Sequence, residues 1–247
     1  MKTRWWGVGV LLIGVASTAL NAASLRIAAA SNLHVAVLPL QAAFQEEHPD
    51  IRLEFSFGSS GNLVAQISQG APFDVLLSAD LAYPQAVIAS GHAAPDSVIT
   101  FAIGQLALWP HPPTDDWVGT LRSTKVRRIA LAQPDTAPFG MAARRALIDA
   151  QLWELAERKL IIGENVAQAL HFAESGNVDY AFVAASLLVG RPRLGEGLLI
   201  PLAPDALAHG AVVIKGRENT AAAQTFLDWL GGDAAKKILV EQGYRLP

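Results

Sequence analysis

The residues best placed to do chemistry are serines and asparagines at turns between predicted strands and helices. Ser31-Asn32 follows the apolar run 25–29, and Gly58-Ser59-Ser60-Gly61 follows the alternating run 51–57. Two later turns, residues 133–140 and 163–166, have the same position between a strand and a helix. The turns offer hydroxyl, amide and backbone N–H groups but no lysine or arginine.

The position of these turns favours an anion as their ligand. Turns that follow parallel strands lie together at the carboxyl edge of a sheet, where ligands bind. A helix N-terminus carries unpaired N–H donors and a partial positive charge, so it receives anions. A site made of donors alone selects a fully deprotonated anion, because a protonated phosphate would leave its own proton unpaired at a cost of about 1–3 kcal/mol. Asp135, in the third turn, is the residue that could accept such a proton.

Each turn also has an ordinary structural interpretation. Ser31, Asn32, Ser60 and Asn165 are all residue types that commonly cap helices. Gly140 could serve only to let a helix pack closely. The functional interpretation therefore rests on the convergence of the four turns.

Composition excludes several classes of function. The chain has 247 residues with 51% hydrophobic and 17% charged residues, so it can form one large core or two medium ones. It has no cysteine, which excludes thiol catalysis, zinc–thiolate sites and disulfides. The net charge of −3 gives no reason to expect a nucleic acid partner, and the short basic run 125–128 is typical of a solvated loop.

The N-terminus predicts export. Lys2 and Arg4 precede an apolar stretch over residues 5–20, and small residues follow at 21–24. This pattern is typical of a secretory signal peptide, assigned to residues 1–23, with a retained membrane anchor as the alternative. We expect a periplasmic protein.

The hydrophobic pattern alternates between strand and helix along the remaining chain. Strands are predicted over 25–29, 51–57, 73–77, 104–109, 128–132, 160–162, 180–183 and 210–215. Helices are predicted over 33–48, 61–69, 83–89, 139–151, 166–175, 220–230 and 233–242. This order indicates an α/β fold with two lobes, each a largely parallel sheet flanked by helices. We expect residues 24–103 plus 216–247 to form the first lobe and residues 104–215 to form a second, inserted lobe.

Four segments together resemble a known family. "AAASN", "FSFGSSGNLVAQISQGAPFDVLLSAD", "PFGMAARRAL" and "GENVAQAL" are similar, in order and spacing, to the periplasmic molybdate-binding proteins of ABC importers. The resemblance runs from about residue 25 to the C-terminus. It implies a type II periplasmic-binding-protein fold, with molybdate, and also tungstate, held between two lobes and delivered to a membrane permease. It also implies a monomer that binds without catalysis and needs no cofactor.

The resemblance further implies a set of ligand-binding residues. Ser31 and Ser60 stand at the positions whose hydroxyls donate to the oxyanion, and Phe139 and Val166 stand where backbone N–H groups complete the set. Many members have a tyrosine where this chain has Ala184. We expect the Asn32 amide, or its backbone N–H, to replace that phenol.

Two alternatives stay open at the level of sequence. The ligand could be another tetrahedral oxyanion such as sulfate. A serine hydrolase using Ser60 is the second, although the G-x-S-x-G pattern fails at Asn62. The histidines have no i,i+3 or i,i+4 spacing, so no metal-cation site is predicted and molybdenum would enter only as the bound oxyanion.

Overall fold

The computed structural model describes residues 23–247, which form two five-stranded sheets covered by helices. The predicted signal peptide lies almost wholly outside the described residues. The strands are β1 Ala23–Ala30, β2 Ile51–Gly58, β3 Val75–Ser78, β4 Ile99–Ile103, β5 Leu106–Trp109, β6 Ile129–Ala132, β7 Leu160–Gly163, β8 Tyr180–Ala184, β9 Leu198–Leu199 and β10 Ala208–Val213. The helices are α1 Val37–Glu47, α2 Ser60–Ser68, α3 Ala82–Ala89, α4 Trp117–Arg122, α5 Pro138–Asp149, α6 Trp153–Glu157, α7 Val166–Glu174, α8 Thr220–Leu230 and α9 Asp233–Glu241.

The first sheet has the order β2-β1-β3-β10-β4 and forms the first lobe. Strands β1, β2 and β3 are parallel, and β10 runs antiparallel to both β3 and β4. Leu25 and Ile27 of β1 pack in a core with α1, α8 and α9, whereas Ala28 packs with α2 and α3 on the other face. Alternate residues of the strand thus bury against opposite helical layers, as the period of two requires.

The second sheet has the order β7-β6-β8-β5-β9 and forms the second lobe. Strands β6, β7 and β8 are parallel, and β5 runs antiparallel to β8 and β9. One core joins this sheet to α5 and α7, and it also includes Ala30 and Ala79 of the first lobe. The lobes therefore pack against each other at the carboxyl ends of β1 and β3.

One predicted lobe boundary is wrong. Residues 208–213 form β10, which is hydrogen-bonded between β3 and β4 of the first sheet, whereas the sequence places them in the second lobe. Strand β10 is apolar and almost wholly buried, so its own pattern suits either sheet. Its membership is decided by β3, which lies far earlier in the chain. The crossings between lobes are therefore residues 104–105 and the segment between β9 and β10.

A search of residues 23–247 finds no helix that is both long and apolar enough to cross a membrane.

Candidate functional site: a donor-lined cavity between the lobes

A small cavity lies where the two lobes meet. The first lobe contributes residues 30–32, 58–60 and Ala79, and the second contributes residues 137–139 together with 165 and 166. Each of these segments directly follows a strand or begins a helix, so the cavity is at the carboxyl edge of both sheets. All five residues predicted to bind the ligand, namely Ser31, Asn32, Ser60, Phe139 and Val166, border this one cavity.

Ser60 is held so that its hydroxyl proton is free to donate. It is the first residue of α2 and is fully buried, and its Oγ accepts a hydrogen bond from the Ala79 backbone N–H at 3.1 Å. The capping position belongs to Ser59, whose side chain makes no capping bond. The alternative interpretation of Ser60 as a helix cap is therefore wrong. Within residues 23–247 no histidine is hydrogen-bonded to Ser60, so the structure contains no activated serine there.

Ser31 is not a helix cap either. It begins a short 3-10 turn over residues 31–33 whose capping residue is Ala30, and α1 starts only at Val37. Ser31 is 4% exposed, and its hydroxyl makes no capping hydrogen bond. At the start of the turn, the Ser31 and Asn32 N–H groups have no partner inside it.

The helices of the second lobe present backbone donors. Pro138 has no N–H, so the first free donor of α5 is the Phe139 N–H. Gly140 lets α5 begin this close to the sheet, because a Cβ there would overlap the Ala132 carbonyl. At α7, the Asn165 side chain accepts from the N–H groups of residues 167 and 168 and leaves the Val166 N–H free. Asn165 is thus the cap that its residue type suggests, and Val166 keeps the donor.

Replacing Asn165 separates capping from ligand binding. Asn165→Ala is expected to lower the free energy of unfolding by about 1 kcal/mol, because the two capped N–H groups lose their acceptor. Asn165→Asp retains an acceptor and is expected to keep the stability, while its charge beside the cavity repels an anion. Urea unfolding and calorimetric titration with molybdate measure the two effects. Equal anion affinity for the wild type and the aspartate variant would contradict this arrangement.

The Asn32 side chain is directed away from the ligand-binding role. Its Nδ2 donates to His209 Nε2 at 2.7 Å and to Tyr244 Oη at 2.9 Å. The backbone carbonyl of Asn32 accepts hydrogen bonds from the hydroxyls of Tyr244 at 2.9 Å and Ser186 at 3.1 Å. Both amide protons are used here, which favours the backbone N–H of Asn32 over its side-chain amide as the donor to the oxyanion.

His209 is neutral in this network. Its ring is fully buried, and burial lowers its pKa from 6.5 to about 4, although the hydrogen bond to the Leu207 carbonyl opposes the shift. Nδ1 lies 2.7 Å from that carbonyl and must donate to it. Nε2 therefore accepts from Asn32. Burial also raises the pKa of Tyr244, so the phenol stays protonated.

Charged groups lie outside the cavity. Its twelve lining residues, all within the described range 23–247, include no Asp, Glu, Lys or Arg. Asp135 is mostly exposed and pairs with Arg144 at 3.2 Å, so its carboxylate is not an acceptor inside the site. Asp80 accepts from the Ser78 hydroxyl and the Tyr83 N–H, and burial raises its pKa. These bonds hold the loop that carries Ala79, the donor to Ser60.

The two lobes are closed over the cavity. Gly61 N–H donates to the Thr136 carbonyl at 2.9 Å across the cleft. Longer contacts join the Tyr83 hydroxyl to the Asp135 carbonyl at 3.4 Å and Asn62 to Glu164 at 3.4 Å. A Cβ at Gly61 would lie 2.9 Å from the Thr136 carbonyl oxygen, so only glycine allows the backbones to approach this closely.

Gly61→Ala is expected to hinder closure. The added methyl group meets the Thr136 carbonyl only in the closed form, so ligand affinity should fall about 3- to 10-fold. It also meets the Tyr83 hydroxyl of the same lobe at 2.6 Å, which is the far end of a flexible side chain, so the ligand-free protein should lose little stability. Calorimetry and thermal unfolding measure the two quantities. The matched control is Gly231→Ala, where a Cβ has its nearest contacts at 3.6 and 3.7 Å. Equal affinities in the two variants would contradict the importance of this approach.

A larger cavity of about 570 Å³ lies elsewhere, along residues 185–199 of the second lobe. It is lined mainly by apolar residues and glycines, and its Arg191 pairs with Glu174 at 2.8 Å. It belongs to one lobe and does not gather helix starts. A search of residues 23–247 finds no cluster of three or more His, Cys, Asp or Glu residues that could hold a metal cation.

Comparison with known proteins agrees with this architecture. Residues 25–245 match the model of a family described as bacterial extracellular solute-binding protein. The chain belongs to this family. A molybdate-binding protein ModA of Rhodobacter capsulatus is 36% identical to this solute-binding protein over 192 residues, which cover 77% of this chain and 76% of the relative. The ModA of Azotobacter vinelandii is 32% identical over 239 residues, covering 94% of each chain.

Solved structures give the same result. The periplasmic molybdate-binding protein of Azotobacter vinelandii superposes with a TM-score of 0.82 and 31% identity, covering 90% of this solute-binding protein and 99% of that chain. The resemblance to periplasmic molybdate-binding proteins and the two-lobed α/β fold are therefore confirmed. The sulfate-binding protein SubI of Mycobacterium tuberculosis, at 13% identity and a TM-score of 0.72, shares the fold alone.

Sequence reasoning missed the residues behind the site. His209, Tyr244 and Ser186 all bond to Asn32, yet they lie more than 150 positions along the chain from it. His209 has no spacing to another histidine that would mark it. The one signal available in the sequence was a histidine inside the otherwise apolar run 208–213.

Proposed function

We propose that this chain captures molybdate, and also tungstate, outside the cytoplasm and delivers it to an ABC importer in the inner membrane. The observation that carries the proposal is the cavity between the lobes, lined by neutral donors, in a chain 32% identical over nearly its whole length to a molybdate-binding protein. The protein works by binding and closure, and no bond of the ligand is made or broken.

The donor set suits a tetrahedral dianion. The Ser31 and Ser60 hydroxyls and the backbone N–H groups of Asn32, Phe139 and Val166 come from both lobes. Hydrogen bonds from neutral donors to an anion are charge-assisted, and therefore shorter and stronger than neutral pairs. A tetrahedral oxyanion has four oxygens, so it can accept hydrogen bonds from the donors of both lobes at the same time.

Closure follows from this division of the donors. An anion bound to the open form meets the donors of one lobe, and only the closed form brings both sets to it. The ligand shifts the equilibrium toward the closed form by as much as it prefers that form. The closed form, with Gly61 bonded to Thr136 across the cleft, is the state that the permease recognises.

The same geometry predicts weaker binding of phosphate than of molybdate. Near neutral pH phosphate carries at least one proton, which needs an acceptor in the site. Asp135 is turned out to solvent and paired with Arg144, so it supplies none. An unpaired buried donor costs about 1–3 kcal/mol, which corresponds to roughly 5- to 150-fold in affinity.

The cell location and assembly state belong to the same proposal. Residues 1–23 act as a secretory signal peptide, and the released protein is a periplasmic monomer. Its two lobes move about residues 104–105 and the segment before β10. The Lys2 and Arg4 charges ahead of the apolar stretch support export.

Isothermal titration of the purified protein with molybdate, tungstate, sulfate and phosphate tests the proposal. The expected result is tight one-to-one binding of molybdate and tungstate and much weaker heat with phosphate. Binding of sulfate in preference to molybdate would keep the fold and overturn the ligand. No binding of any of the four anions would overturn the function.

A further inference from the structure

His209 lies directly behind the cavity without lining it. It is on β10, and the pairing of β10 with β4 is irregular here, since His209 pairs with Ala102 and Gly210 with Thr100, so that Phe101 is left out of the register. Here the fully buried His209 ring lies within hydrogen-bond distance of Asn32 at the first turn.

The hydrogen bond from His209 to the Leu207 carbonyl fixes the direction of the bond between Asn32 and His209. The Leu207 carbonyl can only accept, so His209 Nδ1 donates to it and Nε2 is left as an acceptor. Asn32 must then present its Nδ2 to Nε2 at 2.7 Å. The tautomer of the histidine thus decides which way the Asn32 carboxamide faces.

The Asn32 carboxamide leaves its oxygen unpaired. Its Oδ1 is buried and has no hydrogen-bond partner among residues 23–247. Such an unsatisfied acceptor is rare in native proteins and calls for an explanation. The opposite orientation would set Oδ1 against the Nε2 lone pair. His209 therefore holds the amide in an orientation that leaves Oδ1 without a hydrogen bond.

The same ring also touches the second lobe. The Phe139 ring lies 6.3 Å from the His209 ring between centroids, in an edge-on arrangement. At Gly104, where the chain crosses between lobes, a Cβ would be 2.7 Å from His209 and 3.0 Å from Phe139. Phe139 carries one of the proposed backbone donors, so His209 supports donors of both walls.

We propose that His209 is a positioning residue of the oxyanion site, which acts through Asn32 to hold the turn of residues 31–33 so that Ser31 and the Asn32 N–H face the ligand. Tyr244 and Ser186 also hold this turn, because their hydroxyls donate to the backbone carbonyl of Asn32. Phe101, Phe139 and Tyr244 surround the ring, and among residues 23–247 no charged group shifts its pKa.

Two variants separate positioning from packing. His209→Leu keeps an apolar side chain of similar reach but has no acceptor for Asn32. His209→Gln restores an acceptor at the ε position. We expect the leucine variant to bind molybdate at least tenfold more weakly than the wild type, and the glutamine variant to stay within about threefold of it.

Amide hydrogen exchange in the ligand-free protein gives a readout independent of binding. The His34 N–H donates to the Ser31 carbonyl at 3.3 Å and reports on the turn. Its exchange should be at least tenfold faster in His209→Leu and restored in His209→Gln, while core amides of β3 stay protected in all three proteins. Unchanged His34 exchange in the leucine variant, or no rescue by glutamine, would overturn the proposal.

The binding arm rests on the proposed function, whereas the exchange arm does not. If the wild-type protein bound no molybdate, the proposed function would fail, and the exchange of His34 would still decide whether His209 positions the turn.

Discussion

Replacing Ser60 by alanine is expected to weaken molybdate binding about 10- to 100-fold. The Ser60 hydroxyl is fully buried at the cavity and has its proton free, because its oxygen accepts from Ala79. A hydrogen bond to a charged group contributes about 1.5–3 kcal/mol, and 1.4 kcal/mol is a factor of ten in affinity. Calorimetric titration of the variant with molybdate measures the loss.

The control for Ser60→Ala is Ser68→Ala, the same substitution at the exposed far end of α2. It should bind like the wild type. Because the Ala79 N–H also loses its acceptor in Ser60→Ala, urea unfolding of the ligand-free protein should show a loss of about 1–3 kcal/mol. A loss of stability without a loss of affinity would mean that Ser60 is structural and does not bind the oxyanion.

Acidification should destabilise this protein through His209. Burial holds the pKa of His209 at about 4 in the folded state, against 6.5 in the unfolded chain. As the pH falls from 6.5 to 4, His209 is protonated in the unfolded chain but stays neutral in the folded protein. The free energy of unfolding therefore falls. Each pKa unit is worth about 1.4 kcal/mol, which gives a loss of about 3 kcal/mol over this window.

His209→Gln tests this origin of the acid sensitivity. Urea unfolding at pH 7.5 and 4.5 should show a loss of stability about 2–3 kcal/mol smaller in the variant than in the wild type. His171→Gln changes an exposed histidine and should behave like the wild type. Parallel losses in wild type and His209→Gln would show that His209 is not the titrating group.

The fold class could be predicted because its signals are local. The alternation in β2, the turn after each strand and the glycines that end helices each involve neighbouring residues. The structure puts α2, α5, α7 and α8 within a residue or two of their predicted bounds. The strands β4 and β9 and the helices α4 and α6 were missed, since segments of two to six residues carry too little periodicity to detect.

The serine turns were also readable from the sequence, for a topological reason. Parallel strands bring their carboxyl ends to one edge of a sheet, so the residues that follow β1 and β2 gather at one edge and those that follow β6 and β7 at another. The packing of the two lobes then makes these edges face each other. This explains why Ser31, Ser60, Phe139 and Val166, chosen by position and by resemblance, all border one cavity.

What a side chain does within that cavity was decided by tertiary structure alone. Asn32 is as good a donor as Ser31 by residue type, yet its amide protons go to His209 and Tyr244. Ser59 and Ser60 are chemically alike, and the Ala79 N–H singles out Ser60. Hydrogen bonding depends on which groups, distant in the sequence, come within about 3 Å of each other in the fold. A local sequence pattern does not predict that proximity.

The sequence by itself therefore determined an α/β protein with helix starts and hydroxyls at the carboxyl ends of its parallel strands and a chemistry of neutral donors. The tertiary structure decided that β10 completes the first sheet and brings His209 behind the first turn. It also decided that Asp135 faces solvent beside Arg144. The physical reason is the range of the interactions: periodicity and turn chemistry act between neighbours, whereas the pairing of β10 with β3 and β4 and the hydrogen bonds of Asn32 join residues more than a hundred positions apart.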